Sequence, residues 1–524
     1  MKNSKSFFAI LFLINLFSFH TSAQPGTLDI TFDGDGKVIT AAGPANDQIL
    51  SMALQPDGKI VVAGLTSAAN YYPFASARYN TDGSLDTSYG GDGIAQTFVS
   101  LPAAATSIAI AIQQDGKIVL GGDSGFAVDH DFMLVRYNTD GEPDSSFGGD
   151  GIVITPISAG EDRINAIAIQ NDGKIVAGGY SLNIPDQDIV LTRYNTDGSL
   201  DTSFSNDGVL TMNVSNFDTD IYSLAIQPDG KILASSLLDG TGSDDWLILR
   251  LLSDGTPDST FNGTGITSID FNGRDDYGMS LVLQPDDKII ISGLSILATG
   301  TDRDGALARV NPDGSLDTTF SIDGKLTTDF SSGNNDMLYS VALQPDGKIV
   351  VSGAMGTNSD VDFLVARYLA NGSLDSGFCA GGFLQVAFGT GYDEAWSILL
   401  QPDGKVVAAG YTESATDYDF ALIRFIPGVS QGISDFNSSD NLISVFPNPL
   451  NENFTIEFLI KQPGNVSVHL LDMQGRVLKT FFESQHAAVG KNVYPLKLPQ
   501  NLASGAYLIS LETEQGKMVR KIIK

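Results

Sequence analysis

The sequence has a single cysteine, Cys379, and few basic residues for its length. One cysteine cannot form an intrachain disulfide, so the fold has to be stabilised by packing. Asp and Glu number 62 against 30 Lys and Arg, and the resulting net charge of −32 argues against binding to nucleic acid, whose backbone is also negative. Three of the four histidines lie outside the repeats described below, which leaves only His130 there and excludes a histidine cluster for zinc.

Long apolar runs are also missing. No segment reaches the eighteen or so apolar residues that a membrane-spanning helix needs. An apolar run from Phe7 to Phe17 follows Lys2 and Lys5 and precedes Thr21-Ser22-Ala23. This order predicts a secretory signal peptide over residues 1–23, with an N-terminal membrane anchor as the alternative. We therefore expect an exported chain.

What the sequence does contain is a repeat. The stretch Gln-Pro-Asp-Gly-Lys-Ile returns seven times, with some variation, at spacings of 57 to 60 residues. Proline, aspartate and glycine in this order favour a β-turn, and the apolar runs on both sides predict a β-hairpin. A fixed period of this size indicates a repeat architecture. The leading glutamines are Gln55, Gln113, Gln170, Gln227, Gln284, Gln344 and Gln401.

Each period holds four short apolar runs rich in β-branched and aromatic residues, and no window has a helical period of useful length. Four-stranded sheets repeated seven times predict an all-β fold, a seven-bladed β-propeller over residues 24–426. An open solenoid is the alternative, although neither end shows a polar capping repeat. For the second unit the four runs are Ile94–Phe98, Ser107–Ile112, Lys117–Leu120 and Phe132–Tyr137.

The unit resembles the delta-60 repeat of bacterial secreted proteins. It combines Gln-Pro-Asp-Gly-Lys-Ile with Ala-Arg-Tyr-Asn-Thr-Asp-Gly-Ser-Leu-Asp and an aromatic residue. The resemblance covers about residues 26 to 426 and implies a β-propeller without an assigned activity. Departures from the pattern are Gln114 and Asn171 at the turn proline, and Pro143 and Pro257 at the leucine before aspartate.

The repeat ends at a polar segment, residues 427–441, which we interpret as a linker. Residues 442–524 then read as the strands of a small immunoglobulin-like β-sandwich. They resemble the type A sorting domain of the type IX secretion system of Bacteroidetes, which implies interaction with that machinery and export through the periplasm to the cell surface or beyond. The motif residues that carry the resemblance are Pro447, Asn448, Pro449, Gly475, Gly505, Tyr507, Lys521 and Lys524.

An arginine follows each glutamine by 23 residues, or by 25 in one unit, and an aspartate follows six of these arginines by eight. A charge in an apolar strand has to be paired, so we interpret the two series as structural ion pairs, with a ligand-binding ring as the alternative. Asp29 lies before the first unit with no arginine upstream, and Arg424 lacks its aspartate. We therefore expect residues 26–36 to pack beside Phe420–Phe425 and Asp29 to pair with Arg424. The arginines are Arg78, Arg136, Arg193, Arg250, Arg309, Arg367 and Arg424, and the aspartates are Asp29, Asp86, Asp144, Asp201, Asp258, Asp317 and Asp375.

Two further aspartate series recur, one eight residues before the glutamine and one before the fourth run of each unit. Aspartates in turns commonly accept hydrogen bonds from their own backbone, which is the reading we favour; bound calcium is the alternative, and no calcium-loop spacing is present. The first series is Asp47, Asp162, Asp276, Asp336 and Asp393, with Thr219 in the fourth unit; the second is Asp131, Asp188, Asp245, Asp304, Asp362 and Asp419.

No catalytic constellation is visible, and we interpret Cys379 as a small buried apolar residue rather than a nucleophile. We expect a non-catalytic binding or scaffold module with an unidentified extracellular ligand and no cofactor; a secreted carbohydrate-active enzyme or lectin is the alternative. A function that is not shared by all blades should use residues found in only one. Such residues are His130, Trp246, Trp396, Tyr71, Tyr72 and the longer segment from Ser295 to Asp302.

Overall fold

The chain forms strands joined by turns, and the computed structural model contains no helix among the residues that it describes. None of these residues therefore forms a helix that could span a membrane. The predicted signal peptide and linker lie outside the described residues. In the repeat region the structure describes residues 26–67, 73–97, 108–126, 129–183, 186–214, 218–239, 243–271, 273–296, 302–357, 359–379, 381–414 and 417–426. Further along it describes 444–446, 453–460, 463–471, 477–499, 502, 506–513 and 516–524.

Seven antiparallel sheets follow one another, each with its first strand innermost. The first three blades are β3–β6 (Asp47–Leu54, Ile60–Thr66, Phe74–Tyr79, Ile94–Thr97), β7–β10 (Ala109–Ile112, Ile118–Phe126, Asp129–Tyr137, Ile152–Thr155) and β11–β14 (Asp162–Ile169, Ile175–Asn183, Asp186–Tyr194, Val209–Met212). The next three are β15–β18 (Thr219–Ile226, Ile232–Leu238, Asp245–Leu251, Ile266–Ile269), β19–β22 (Asp276–Leu283, Ile289–Ile296, Arg303–Val310, Lys325–Thr328) and β23–β26 (Asn335–Leu343, Ile349–Thr357, Asp360–Tyr368, Phe383–Val386). The seventh is β27–β29 (Asp393–Leu400, Val406–Glu413, Tyr418–Ile426), completed by β1 (Thr27–Leu28) and β2 (Lys37–Thr40).

The sequence period and the blade are offset by one strand. The run at Ile94, which the sequence groups with the second unit, pairs with Phe74–Tyr79 and is the outer strand of the first blade. Consecutive strands of the chain usually pair, and here the glutamine turn joins the first and second strands of a blade, so the fourth strand of one blade precedes the inner strand of the next. The glutamine period therefore begins inside one blade and ends inside the next.

The Gln-Pro-Asp-Gly stretch forms the predicted hairpin turn between the first two strands of each blade. Gln55 N donates to the Lys59 carbonyl oxygen at 2.9 Å, and Gly58 N donates to the Gln55 carbonyl oxygen at 2.9 Å. Gly58 has a φ of 88°, and Asp287, which replaces this glycine in the fifth unit, keeps the left-handed conformation with a φ of 63°. Aspartate tolerates that region better than most residues, so the turn survives the substitution.

Apolar side chains from neighbouring blades share their cores. Val61 and Ala63 of the first blade belong to one buried cluster with Leu120 and Val135 of the second. The last blade meets the first in the same way, because Val407 and Leu422 lie in one cluster with residues of β3 and β4. The repeat therefore closes on itself, as a propeller does and an open solenoid does not.

The two ends of the repeat region complete one blade. Lys37–Thr40 pairs with Phe420–Ile423, and Thr27–Leu28 pairs with Phe425 and Ile426. The Asp29 carboxylate accepts a hydrogen bond from Arg424 Nε at 2.8 Å and lies 3.0 Å from Lys405 Nζ. The predicted closure is thus present in the structure, and the strand from the N-terminal end covers an edge that would otherwise be open.

Residues 444–524 form two further sheets. One contains β30, β31 and β34 (Ser444–Phe446, Asn453–Ile460 and Gly490–Lys497), and the other contains β32, β33, β35 and β36 (Gly464–Leu471, Val477–Ala487, Ala506–Thr513 and Gly516–Ile523). Phe454 and Ile456 of the first sheet and Val468 and Ile509 of the second lie in one buried cluster, so the sheets pack face to face as predicted for a sandwich.

Candidate functional site

The ring has two faces that differ in sequence. Successive strands are antiparallel, so their connections alternate between the faces. The Gln-Pro-Asp-Gly turns and the connections from third to fourth strands lie on one face, which we call the repeated face. The connections between second and third strands and those between blades lie on the other, the variable face.

On the repeated face, the arginines have a recurring set of partners, which Arg136 illustrates. Arg136 Nε donates to Asp144 Oδ2 at 2.7 Å, Nη2 donates to Ser146 Oγ at 3.1 Å, and the guanidinium lies 4.5 Å from the centre of the Phe147 ring. Nη1 donates to the carbonyl oxygen of Thr196 in the next blade. Six of the seven arginines thereby join one blade to its neighbour: Arg78, Arg136, Arg193, Arg250, Arg309 and Arg424.

The aspartates of these pairs carry a second cation. Lys117 Nζ lies 2.8 Å from Asp144 Oδ2, the oxygen that also accepts from Arg136. Burial by itself would raise the pKa of Asp144, but the hydrogen bonds from Lys117 and Ser146 and the charge of Arg136 outweigh it and hold the pKa below its usual range. Comparable geometry joins the other six pairs, with Nε–Oδ2 distances of 2.7 to 2.9 Å: Arg78–Asp86, Arg193–Asp201, Arg250–Asp258, Arg309–Asp317, Arg367–Asp375 and Arg424–Asp29.

On the variable face, the aspartate that begins an inner strand holds the preceding connection in place. Asp47 Oδ2 accepts hydrogen bonds from the backbone of Ala42 and Gly43, both at 2.7 Å. Asp162 and Asp393 make the same kind of contact in their own blades. These aspartates therefore accept hydrogen bonds from the backbone of a turn, as the sequence predicts.

The inner strands enclose a central cavity of about 550 Å³ that all seven blades line. Four residues before each glutamine, every blade places a serine or alanine in its wall. The position five residues before the glutamine, by contrast, varies between the units. The seven units have six different residue types there, and each of these side chains lines the cavity. They are Leu50, Ile108, Asn165, Tyr222, Met279, Tyr339 and Trp396.

One side of the cavity is polar and charged. Asn165 Nδ2 donates to Asp220 Oδ1 at 2.7 Å, and Arg163 forms an ion pair with Glu161. The Arg163 guanidinium lies 6.0 Å from the centre of the Tyr180 ring. Desolvation inside the ring raises the pKa of Asp220 well above its usual range, against the opposing effects of Asn165 and Arg163. This side therefore places a guanidinium, an amide and a carboxyl group in the cavity wall.

Another part of the wall is aromatic. Tyr339 and Trp396, from neighbouring blades, stack with ring centres 4.2 Å apart and planes 6° from parallel. Trp396 Nε1 donates to Glu394 Oε2 at 3.0 Å. Desolvation raises the pKa of Glu394 although Tyr411, Trp396 and Tyr339 all hydrogen-bond to it. Tyr339 and Trp396 thus form an aromatic stretch of the wall, and Glu394, which is not among the lining residues, accepts a hydrogen bond from Trp396.

The blade-specific residues named from the sequence do not converge. Trp396 lines the cavity, whereas Trp246 is fully buried and packs on Phe271 at 4.8 Å. His130 is buried, with Nδ1 2.7 Å from Asp123 Oδ2. Ser295 is also fully buried, while Tyr71, Tyr72 and residues 297–301 lie outside the described residues.

The interpretation of Cys379 needs correction. The side chain is half-buried rather than buried, and its thiol donates to the carbonyl oxygen of Gly26 at 3.3 Å. The strand from the N-terminal end runs past this position, which the local sequence does not reveal. Burial raises the pKa of the Cys379 thiol, which disfavours the thiolate that a nucleophile needs.

Sequence reasoning missed most of the cavity wall. Arg163, Asn165, Asp220 and Tyr339 are ordinary residue types, and nothing in their immediate surroundings marks them. The signal that would have found them is a comparison of equivalent positions across the seven units, in which the positions five and seven before the glutamine vary most in chemistry.

In the C-terminal domain, five of the eight motif residues lie outside the described part: Pro447, Asn448, Pro449, Gly475 and Gly505. Tyr507 packs against the sandwich core. Lys524 Nζ hydrogen-bonds to the Leu502 carbonyl oxygen, and Lys521 pairs with Leu508 along the sheet.

Comparison with known families agrees with this architecture. Seven segments match the family described as "Domain of unknown function (DUF5122) beta-propeller", at residues 55–89, 113–147, 170–204, 227–261, 284–320, 344–378 and 401–427. The repeat region belongs to this family. Residues 444–524 match the family described as "Secretion system C-terminal sorting domain". That domain directs the chain through the type IX secretion system to the cell surface or the extracellular space.

No curated protein matches the chain. Among solved structures it is similar to the polysaccharide lyase Uly1 (11% identity, 74% of this chain and 91% of that chain, TM-score 0.42) and to Drosophila Semaphorin 2a (8%, 95% and 98%, TM-score 0.42). It is also similar to Chaetomium thermophilum Sqt1 bound to the N-terminus of the ribosomal protein L10 (13%, 73% and 97%, TM-score 0.39). These TM-scores are low, and the likenesses carry no argument about function.

Proposed function

We propose that the ring is a non-catalytic binding module that takes a neutral saccharide into its central cavity from the variable face, after export by way of a signal peptide and the sorting domain. The observation that carries the proposal is that the side chains lining this cavity differ from blade to blade in a chain that otherwise repeats. Residues that stabilise the ring occur in every blade. Residues that contact a single ligand do not have to be the same in every blade.

The chemistry of the wall favours a saccharide. Tyr339 and Trp396 present aromatic surface, on which the C–H faces of a sugar can pack. Asn165 and Asp220 offer the few well-placed polar groups that orient a ligand in a largely preformed site. Arg163 is paired with Glu161, which leaves it less free to bind the carboxylate of a uronic acid or the sulfate of a sulfated sugar.

A carbohydrate-active enzyme is the second candidate, and one observation favours it. Asp220, which lines the cavity, has a raised pKa, as the acid in glycoside hydrolysis must. Against it, the ring's one histidine contacts Asp123 and does not line the cavity. Incubation with neutral polysaccharides distinguishes the candidates: an enzyme releases new reducing ends and loses that activity in Asp220→Asn, whereas a binding module releases none.

The two tryptophans provide a matched test, because one lines the cavity and the other lies in the core. In Trp246→Phe, the emission of Trp396 should shift on titration with the neutral glycan that a glycan array selects. In Trp396→Phe, the emission of Trp246 should not respond to the same glycan. Trp396→Ala should weaken binding at least tenfold, since an aromatic anchor in a pocket is commonly worth 2 kcal/mol or more, a factor of about 30.

An exposed control lies on the opposite face. Ile322 is 90% exposed in a connection on the repeated face, and Ile322→Ala should bind as the unmodified ring does. Equal binding by Trp396→Ala and the unmodified ring would overturn the cavity as the site. Tight binding of sulfated glycans in preference to neutral ones would overturn the proposed ligand class.

Routing has its own test. Deletion of residues 442–524 should leave the propeller folded and trapped in the periplasm, because the two cores are separate. Fractionation of the producing cells measures this directly. Normal levels of the truncated protein outside the cell would contradict the assignment of the sorting domain.

A further inference from the structure

Three aspartates meet on the variable face between the fifth and sixth blades. Asp304 begins the third strand of the fifth blade, Asp336 lies in the inner strand of the sixth, and Asp329 lies in the connection between these blades. One carboxylate oxygen from each lies within 4.8 Å of the other two. Oxygens that coordinate one Ca²⁺ at 2.3–2.6 Å are at most about 5 Å apart, so the three can share an ion.

Asp304 is the decisive member of the cluster. Its side chain is 5% exposed, and its carboxylate accepts no hydrogen bond from the described part of the chain. Asp336, by contrast, accepts from Phe330 N at 2.6 Å and from Ser331 Oγ at 2.6 Å, and Asp329 accepts from Ser332 N at 2.6 Å. A buried carboxylate without a donor is costly, and natural proteins rarely leave one so.

The charged groups that act on Asp304 are all negative, as Asp304 itself is when ionised. Desolvation, followed by the charges of Asp329, Asp336 and Asp302, raises its pKa to about 6. No lysine or arginine contributes to that shift, in contrast to the aspartates of the repeated face. The group therefore lacks both a hydrogen-bond donor and a compensating cation from the protein.

We propose that Asp304, Asp329 and Asp336 bind a hard divalent cation, Ca²⁺ by preference, which fixes the connection between the fifth and sixth blades to the fifth blade's third strand. Ca²⁺ takes carboxylate, carbonyl and water oxygens in a flexible shell, which suits three carboxylates of which one is exposed. The site goes beyond the proposed saccharide binding and does not depend on it.

The preceding blade junction repeats the arrangement with one difference. Asp245, Asp270 and Asp276 also bring carboxylate oxygens within 4.8 Å of one another. Here, however, Lys325 Nζ donates to the Asp270 carbonyl oxygen at 2.6 Å, and Asp245 Oδ1 and Asp276 Oδ1 are buried without a hydrogen-bond partner among the described residues. A second ion can therefore bind at this junction.

Other junctions show what happens without a third carboxylate. Before the first blade, Asp419 and Asp47 recur, but the position of Asp329 is held by Ala41. At the junction of the sixth and seventh blades that position is Ala387, and Gln385 Nε2 donates to Asp362 Oδ2 at 2.6 Å. An amide donor thus serves there as the partner that Asp304 lacks.

The test is calorimetric titration of the chelator-treated full chain with CaCl₂ at pH 7.5. We expect binding with a Kd between about 10 μM and 1 mM, the range of sensor and extracellular sites. Asp329→Asn, which alters an exposed side chain and should fold normally, is expected to weaken the binding of one ion at least tenfold. Asp419→Asn is the matched control and should leave it unchanged.

Three results would overturn the site: no binding up to about 10 mM CaCl₂, unchanged binding in Asp329→Asn, or an equal loss in Asp419→Asn. A fourth measurement separates the cation from its main rival, a proton held between Asp304 and a neighbouring carboxyl. If a proton is held there, Asp304→Asn raises the melting temperature without calcium and calcium does not raise that of the unmodified chain. If an ion binds, calcium stabilises the unmodified chain and not Asp304→Asn.

Discussion

The two faces of the ring use the same residue, aspartate, in opposite ways. On the repeated face Asp144 lies between Arg136 and Lys117, and its pKa is lowered. On the variable face Asp47 is just as buried, but it is met by two backbone N–H groups and by the charges of Asp419 and Asp417, and burial raises its pKa to about 6.

The difference shows where repetition is used and where it is not. The arginine of each ion pair is held by an aspartate of its own blade, and Arg136, for example, also donates to a backbone carbonyl of the next blade, so this arrangement recurs around the ring. Contacts between blades in the cavity wall, such as Asn165 with Asp220 and Tyr339 with Trp396, do not recur from blade to blade, so these residues are free to differ. Identity across the seven units therefore marks the fold, and difference marks the candidate site.

The largest expected effect is at the ring closure on the repeated face. Asp29→Ala leaves Arg424 buried without its carboxylate, and breaking a buried ion pair costs about 3–5 kcal/mol. We expect the free energy of unfolding in urea to fall by about that amount. A loss below about 1 kcal/mol would show that the pair between the chain's two ends does not stabilise the ring.

The pH dependence of stability should separate the two faces. Asp29, with a pKa lowered to about 2, binds fewer protons when folded than when unfolded, so the stability that it contributes is lost as the pH falls from about 4 towards 2. Asp47, with a pKa raised to about 6, binds more protons when folded, so stability falls as the pH rises from about 4 to 6.

In the presence of a chelator, the melting temperature should therefore be highest near pH 4 to 5. Asp47→Asn removes the titrating group but keeps a side-chain oxygen for the hydrogen bonds from Ala42 and Gly43. It should therefore reduce only the fall in melting temperature above the maximum, which we call the upper limb of the pH profile. An unchanged upper limb in this variant would mean that other groups produce it.

The smallest expected effect on stability is in the central cavity. Asp220→Asn removes a carboxyl group whose ionisation burial disfavours, and the amide can still hydrogen-bond to its neighbours. We expect stability to change by less than about 1 kcal/mol, or to increase, while saccharide binding weakens. Destabilisation comparable to that of Asp29→Ala would erase the contrast between the two faces.

Much of the fold could be predicted because it is encoded locally and repeated. Each Gln-Pro-Asp-Gly turn and each arginine–aspartate spacing of eight carries the same information seven times, and the solitary Asp29 was enough to predict how the ends join. The offset between period and blade was not visible, because the turn that marks the period lies inside a blade rather than between blades.

The candidate site could be predicted only in part. Trp396 was named because tryptophan is rare in the chain, but so was Trp246, which fills a core. Rarity does not distinguish a buried residue from one in a wall. Asp220 and Asn165 come from neighbouring blades, and their contact depends on a closed ring that no short stretch of sequence describes.

The most direct test of the division between the two faces is hydrogen–deuterium exchange of the ring with and without the neutral glycan that the array selects. The account predicts added protection at the variable-face ends of the inner strands, around Arg163–Asn165, Asp220–Tyr222 and Glu394–Trp396. It predicts no change at the seven Gln-Pro-Asp-Gly turns. Protection that appears equally at the turns of all seven blades, with none in the inner strands, would contradict it.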